Sequence, residues 1–290
     1  EDGRMIPTFV QGFWYNYKAK KTVFQFGLLN EIAPRSTGKF YGIGESIGTY
    51  PVGRNKNGNA SLYTDNTESD YIILANADFQ VVENLNIKAW NQYVDNVFNS
   101  FYLKPFFKLS KSLQIEGEWL HQNKVGDGSS IDSLRYFNQN TADILGLKIG
   151  YASQKSTISL AYNRILPQGQ FLSPREWGRE NLFSFQKRER SEGSADNHAL
   201  VLNYKKDFEV LKENLNLTSI VSIGKHWKPS VTDARSNKYA MPNYTHINLD
   251  VFFNIKKIKH LKPELLLTSK IGNGDIPDNP NFYFNKVDLF

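Results

Sequence analysis

The sequence predicts an all-β fold: a transmembrane antiparallel up-and-down β-barrel. Three observations predict it. Segments of about nine to eleven residues alternate apolar with polar positions, the length a tilted strand needs to cross a bilayer. Long polar connections take turns with short ones along the chain, the asymmetry of a barrel with tight turns at one rim and loops at the other. Aromatic residues make up 14% of the chain, with 15 Tyr and 20 Phe against 5 Trp, which suits amphipathic rings at a membrane interface. Within the strands the polar positions are largely Asn, Ser, Thr, Gly and isolated charges, which suit a wet lumen better than the charged exterior of a soluble barrel. No apolar stretch approaches the roughly 18 residues of a transmembrane helix, so a membrane crossing by this chain is a crossing by strands.

In order, residues 8–18 and 22–32 are β-rich runs joined by a tight hairpin at Ala19, Lys20 and Lys21. Residues 33–69 form a long Gly/Asn/Ser/Thr loop, beyond the usual loop length and therefore functional or mobile. Strand 70–82 pairs with 85–94 through Glu83 and Asn84; Leu85, Ile87, Ala89 and Tyr93 face one way, Asn86, Lys88 and Gln92 the other. After Asp95 and Asn96, residues 98–109 set Phe101, Leu103, Phe107 and Leu109 against Ser100, Tyr102, Lys104 and Lys108. A short link at 110–112 leads into 113–122, where Ile115 and Trp119 oppose Gln114, Glu116 and Glu118. The long loop 123–140 follows.

Strand 145–151 places Leu145, Leu147, Ile149 and Tyr151 opposite Gly146, Lys148 and Gly150. A turn at 153–155, strand 157–164, the long loop 165–194 and strand 195–206 come next. The connection 207–214, strand 215–225 and loop 227–243 precede the clearest alternation, Ile247, Leu249, Val251, Phe253 and Ile255 against His246, Asn248, Asp250 and Asn254. Residues 256–262 connect to a further strand, residues 272–281 form a polar loop, and 282–290 is the last strand-like run. About thirteen such segments can be counted, whereas single-chain bacterial barrels close with an even number. Neither a βαβ pattern nor an internal repeat is present, so residues 1–290 read as one barrel domain. The chain begins at Glu1 without a start Met or signal peptide, and Lys286 and Asp288 break the apolar period of the last run. These features predict a partial chain, with further strands at both ends.

The balance of 35 Lys+Arg against 29 Asp+Glu gives a formal charge of +6, a mild excess that favours anionic solutes or lipid headgroups. It is too diffuse for nucleic-acid binding, with no basic recognition element. The absence of Cys excludes disulfide scaffolds, thiol nucleophiles and Cys-ligated zinc. Catalysis is not expected. The five His (His121, His198, His226, His246, His260) lack metal-ligand spacing, and pairing Ser219 with His121 as a hydrolase dyad is arbitrary. Gly42, Gly44 and Gly48 resemble a phosphate loop only loosely, so flexibility is the better reading. The acidic runs at 65–70 and 275–278 do not fit a calcium loop. No cofactor and no metal is predicted.

The densest charge lies at 171–198, where Arg175, Arg179, Lys187, Arg188 and Arg190 interleave with Glu176, Glu180, Glu189 and Glu192 among Phe171, Trp177, Phe183 and Phe185. A guanidinium fork binds carboxylates bidentately and stays charged at any relevant pH. Several in a narrow lumen offer an anion successive weak sites, which permits entry without trapping. On this reading Glu176, Glu180 and Glu189 hold the arginines in place. The alternative is that the pairs rigidify an outward loop or bridge lipopolysaccharide phosphates. The selectivity candidates are Arg175, Glu176, Arg179, Arg188, Glu189 and Arg190, with Tyr102, Lys104, Lys148 and Asp250 on polar strand faces. Glu116 and Glu118 are further lumen positions.

Several segments resemble the OprD-type substrate-specific porins. They are Asp2-Gly3-Arg4-Met5-Ile6-Pro7; Lys88-Ala89-Trp90-Asn91 with Tyr93-Val94-Asp95-Asn96 and Ser100-Phe101-Tyr102-Leu103; and Leu160-Ala161-Tyr162-Asn163. Pro174-Arg175-Glu176-Trp177-Gly178-Arg179-Glu180, Arg188-Glu189-Arg190 and Glu192-Gly193 continue in the same order. The resemblance covers most of the chain. It implies an eighteen-stranded barrel integral to the bacterial outer membrane, in contact with its lipid and lipopolysaccharide. It also implies passive uptake of small, often carboxylated solutes, guided by a basic ladder, past inward loops. A scaffold or accessory subunit of a larger envelope assembly, oligomeric or docked to envelope partners, is the alternative.

Overall fold

Polar and apolar positions separate onto opposite faces of each strand as the alternation predicts, and the sense of the separation is inverted relative to a soluble barrel. Leu147 keeps 50% of its surface exposed, while Glu118 on the neighbouring strand keeps 4%. The computed structural model describes residues 7–50, 52–211, 214–258, 261–272 and 283–290. Residues 2–6 of the resemblance and the acidic run 275–278 lie outside these, as does most of the loop 272–281.

The long strands are β1 (Phe9–Lys18), β2 (Thr22–Ala33), β4 (Ile72–Val82), β5 (Leu85–Val94), β6 (Phe98–Lys108), β7 (Leu113–Lys124) and β8 (Thr141–Ala152). They continue with β9 (Ser156–Ile165), β10 (Asn197–Leu211), β11 (Leu215–Trp227), β12 (Tyr244–Ile255), β13 (Glu264–Gly272) and β14 (Phe284–Leu289). Each pairs antiparallel with the next, and the two-residue β3 (Tyr41–Gly42) pairs with β2. The up-and-down order is therefore the predicted one, with shifted ends. β8 starts at Thr141 rather than 145, and β10 runs to Leu211, taking up much of the predicted 207–214 connection.

One rim carries the short turns. At the other rim lie the connections 34–71, 125–140, 166–196 and 228–243. The link 95–97 belongs to that second rim although it is short, and the longer loops cover it. Asn96, in the left-handed region at φ 58°, accepts from Asp127 N at 3.0 Å and donates to Glu68 O at 3.2 Å.

The outward residues Leu145, Ile149, Leu160, Leu202 and Ile223 are all exposed. A contiguous apolar belt of this kind is costly in water and favourable in hydrocarbon. No described helix is long and apolar enough to cross a membrane.

The apolar core lies inside the long-loop rim. Ile43, Ile47, Tyr63, Tyr136, Phe137 and Leu172 from three loops pack on Leu29, Ile32, Ile72, Val94 and Phe98 of the wall. The glycines at 42–48 are part of this core, which corrects the expectation of flexibility. Residues Ile43–Ser46 form a helical turn (α1) with Ile43 and Ile47 fully buried. Gly44 touches the Thr67 carbonyl so closely that a Cβ does not fit. Glycine is required here by close approach rather than by mobility.

Candidate functional site

Loop 166–196, for which the sequence left a lumen-lining and an outward course open, turns inward and crosses the lumen. Its near half is held by polar inward positions of the wall that cap the loop's backbone groups, as buried amides require, and its far half also by its own side chains at 186–189. Gln122 on β7 accepts from Leu172 N (3.0 Å) and donates to Leu172 O (2.8 Å). Glu118 accepts from Phe183 N (3.0 Å), and Asn163 on β9 accepts from Ser184 N (2.7 Å). Farther round, Gln186 donates to Ser222 Oγ (2.9 Å) and Asn248 donates to Lys187 O (2.9 Å). Lys187 pairs with Asp250 at 3.2 Å and also with Glu264, while Arg188 grips Asp288 bidentately at 2.7 and 3.0 Å. The loop thus reaches from β7 to β14.

The Glu118 contact depends on a glycine. Tyr102 donates to Glu118 Oε2 at 2.6 Å, and Asn163 donates to Glu118 Oε1 across the face of Gly146. A Cβ at Gly146 meets both the Glu118 and the Asn163 side chains at 2.5 Å. Gly146→Ala is expected to displace this bridge and speed hydrogen exchange of the Phe183 and Ser184 amides at least tenfold, about 1.4 kcal/mol of lost local protection. Unchanged exchange there would show that the wall tolerates a methyl group at this position.

The predicted partners within the loop are rearranged. Glu176, 4% exposed, accepts from Gly48 N of the loop 34–71 and holds no arginine. Burial pushes the Glu176 carboxyl upward, opposed by that backbone donor. Glu189 pairs with Lys270 on β13 at 2.9 Å and lies 3.6 Å from His246. Only Glu180 lies near an arginine, 3.9 Å from Arg190, and it also accepts from Ser191 N and Glu192 N. The carboxylate that does hold an arginine is Glu192, 2.9 Å from Arg175, whose guanidinium lies 3.4 Å over the Tyr239 ring. The cause is folding back of the loop. Neighbours in sequence point to different walls, so partners come from other elements or from distant positions of the same loop.

Loop 228–243 locks the arrangement. Lys238, 4% exposed, donates to Tyr63 Oη at 3.0 Å, lies within 5.4 Å of the Tyr63, Tyr136 and Tyr239 rings, and is 3.9 Å from Glu192. Burial pushes its pKa down to about 8, against the pull of Glu192. One ammonium therefore joins all four long loops.

Arg179 alone among the predicted arginines has neither a carboxylate at ion-pair distance nor a hydrogen-bonding partner among the described residues. It is exposed on a cavity of about 520 Å³. Desolvation, followed by the nearby Arg190, Arg35 and Arg188 guanidiniums, lowers its pKa to about 10, with Glu180 opposing; it stays charged at neutral pH. Trp90, Tyr102, Leu120, Leu172 and Trp177 give this cavity one apolar wall.

Toward the short turns, Lys88 and Lys104 line both this cavity and a second of about 410 Å³, which also contains Asp78, Asn86, Phe106 and Glu116. These charges form one belt across neighbouring strands. Lys88 pairs with Asp78 at 3.2 Å, and Glu116 pairs with Lys104 at 3.7 Å and Lys148 at 2.9 Å. Pro105 sits within this belt, where the β6–β7 ladder skips two registers, because proline has no N–H to donate.

Of the sequence-predicted residues, the structure brings Tyr102, Lys104 and Arg179 to the first cavity, and Lys104 to the second as well. Lys148 meets Lys104 through Glu116 and over the Phe183 ring, outside both cavity linings. Asp250, Arg188 and Glu189 anchor the loop on the opposite wall. Sequence reasoning missed Gln122, Asn163, Gln186, Glu192, Lys238 and Lys270. For Gln122 and Asn163 the available signal was an amide on the polar face of a strand. His121 pairs with Asp143 at 2.8 Å, and Ser219 lies on β11, far round the sheet. No group of His, Asp and Glu able to hold a metal occurs among the described residues.

No protein-family model matches the sequence, and no curated protein matches it. Solved structures do. Pseudomonas aeruginosa OpdO is 14% identical with a TM-score of 0.69, covering 100% of this chain and 69% of that one. Pseudomonas aeruginosa OccK7 (OpdD) is 16% identical with a TM-score of 0.69, covering 100% and 68%. Acinetobacter baumannii OccAB4 is 14% identical with a TM-score of 0.65, covering 93% and 62%. At these identities the likeness is one of fold, and the fold is the OprD-type barrel that the sequence resemblance implied.

Proposed function

We propose that this chain is a transmembrane barrel domain of a bacterial outer-membrane channel for passive, partly selective diffusion of small anionic or zwitterionic solutes bearing a carboxylate. The observation that carries the reading is Arg179: a guanidinium left without a carboxylate, facing a cavity of about 520 Å³ inside the barrel. A solute carboxylate arriving from the long-loop rim meets that fork first, with the apolar wall at Trp90 and Trp177 receiving the rest of the molecule. It then reaches Lys88 and Lys104, each already engaged by Asp78 or Glu116. Exchange with those carboxylates makes the second site weak, and a weak second site releases the solute toward the lower cavity.

In planar bilayers under a salt gradient, the wild-type protein is expected to show an anion preference that Arg179→Gln reduces. Arg175→Gln and Arg188→Gln, whose charges are already neutralised by Glu192 and Asp288, are expected to change it much less. Identical reversal potentials for wild type and Arg179→Gln would overturn the assignment of Arg179, and a reconstituted protein that conducts no ions would overturn the channel itself.

A further inference from the structure

Arginine is distributed unevenly between the connections of the barrel. Every described arginine belongs to a long loop or to the loop end of a strand, and Arg188 reaches through the lumen to Asp288 near the turn end of β14. Arg35 and Arg54 are in loop 34–71, Arg135 in 125–140, Arg235 in 228–243, four more in 166–196, and Arg164 is one residue from the loop end of β9. The short turns and the strand residues beside them, among the described residues, carry lysine and no arginine. Lys20 and Lys21 lie in the β1–β2 turn, Lys111 in the β6–β7 turn beside Lys108, and Lys155 in the β8–β9 turn. Lys205 and Lys206 follow on the turn end of β10, and Lys257 and Lys262 in the β12–β13 connection; all are exposed. Exposed carboxylates on the described part of this rim are confined to Glu83, Asp207 and Glu209.

The lysines sit beside outward apolar side chains. Phe107 and Leu109 precede Lys111, and Phe208 and Val210 follow Lys206. Ile258 and Leu261 lie between Lys257 and Lys262; all six apolar residues are exposed. A lysine placed here lays its methylene stem along the apolar belt and holds its ammonium just beyond it, at headgroup depth.

We infer that the short-turn rim is a collar that binds anionic phospholipid headgroups of the membrane leaflet it meets. The inference rests on the membrane reading given above. Charge complementarity and distribution favour a lipid surface over a soluble partner. The ammoniums are spread over successive turns rather than gathered in one patch, and a partner that meets all of them at once is a lamellar one. Residue type points the same way. Lysine is a hydrated point charge on a flexible stem that needs no fixed geometry, which suits mobile headgroups, whereas Arg54, Arg135, Arg164, Arg175, Arg188 and Arg190 are forks held by carboxylates or backbone carbonyls.

The test uses the purified protein in phosphatidylcholine vesicles containing trace spin-labelled phosphatidylglycerol or spin-labelled phosphatidylcholine. The motionally restricted component of the electron spin resonance spectrum reports lipid held at the protein surface. Restricted phosphatidylglycerol is expected to exceed phosphatidylcholine by roughly fivefold per site, the factor one ammonium near an anionic headgroup gives. The excess is expected to collapse in 1 M salt, where the Debye length falls to about 3 Å. It is also expected to be lost in the combined variant Lys20→Gln, Lys111→Gln, Lys155→Gln, Lys206→Gln, Lys257→Gln, whose conductance stays at the wild-type value. Equal restriction of the two labels in the wild type, or a preference that the variant retains, overturns the collar. Absence of a restricted component for either label instead overturns membrane insertion, so the two failures are distinguishable.

Discussion

Glu189→Gln is expected to free the far half of the inserted loop from the wall. Glu189 is 3% exposed, and its carboxylate faces the Lys270 ammonium at 2.9 Å and the His246 ring at 3.6 Å. Removing its charge leaves the buried ammonium of β13 without its compensating carboxylate, a change that costs about 3–5 kcal/mol in a buried pair. Hydrogen exchange of the 186–190 amides should then accelerate by roughly two to three orders of magnitude, since each 1.4 kcal/mol is a factor of ten. Single-channel records should gain open-state noise. The double variant Glu189→Met, Lys270→Met removes both charges and is expected to recover much of the protection, because apolar replacement of a buried pair is often near neutral. Wild-type exchange in the single variant would show that the neutral backbone contacts, such as Asn248 to Lys187 O, suffice to hold the loop.

The same carboxylate sets a pH dependence. Burial opposes ionisation of Glu189, but Lys270, His226, Lys228 and His246 together outweigh it and hold the group well below the usual carboxylate range. A depressed carboxyl pKa stabilises the docked loop in full above the ordinary value of 4.5 and loses that contribution only as pH falls through the lower, docked-state value. Loop attachment is therefore expected to survive at pH 4.5 and to fail only in stronger acid. Exchange at 186–190 that already rises between pH 6 and 5 would assign the anchorage to another group.

Replacing residues 176–190 by a short Gly-Ser link is expected to have the largest effect on conduction. These residues include Arg179 and the backbone groups bonded to Glu118, Asn163 and Asn248, so their removal opens the lumen from β7 to β14. The expected result is a severalfold rise in unitary conductance together with loss of most of the anion preference. The first effect follows from widening the constriction and the second from removing the cation that faces the cavity. The outward apolar belt does not involve this loop, so insertion into bilayers should be retained. A conductance equal to wild type would mean that another segment forms the constriction.

The fold was legible because its signal is local. Strands β5, β7 and β12 each place a residue such as Asn86, Glu118 or Asn248 on one face and an apolar neighbour on the other, and a period of two survives in any register. The rim of most connections was legible from length, but the 95–97 link, short yet on the long-loop rim, was not. Strand ends were less legible. Thr141 to Ile144 and Asp207 to Leu211 are strand because their neighbours extend to meet them, and partner length is not written in the local sequence.

The candidate site was legible in part. The composition of 171–198 marked the loop, and forked cations among aromatic rings marked it as more than a connection. Which arginine is available was not legible. Arg175, Arg179 and Arg188 have similar neighbours in sequence, yet Glu192 takes the first, Asp288 the third, and the second alone among them is left facing a cavity.

The sequence by itself determined the all-β, up-and-down barrel and the apolar outer belt. It also marked the charged loop between β9 and β10, because alternation, turn spacing and charge density are properties of neighbouring residues. Tertiary structure alone decided that the loop turns inward, that Lys238 and Glu189 tie it to other loops and strands, and that Arg179 faces a cavity. Those outcomes depend on which buried polar group finds which partner across the lumen, between residues as far apart as Arg188 and Asp288. In a low-dielectric interior such pairings are set by the need to compensate every buried charge, and that need is met in space rather than along the chain.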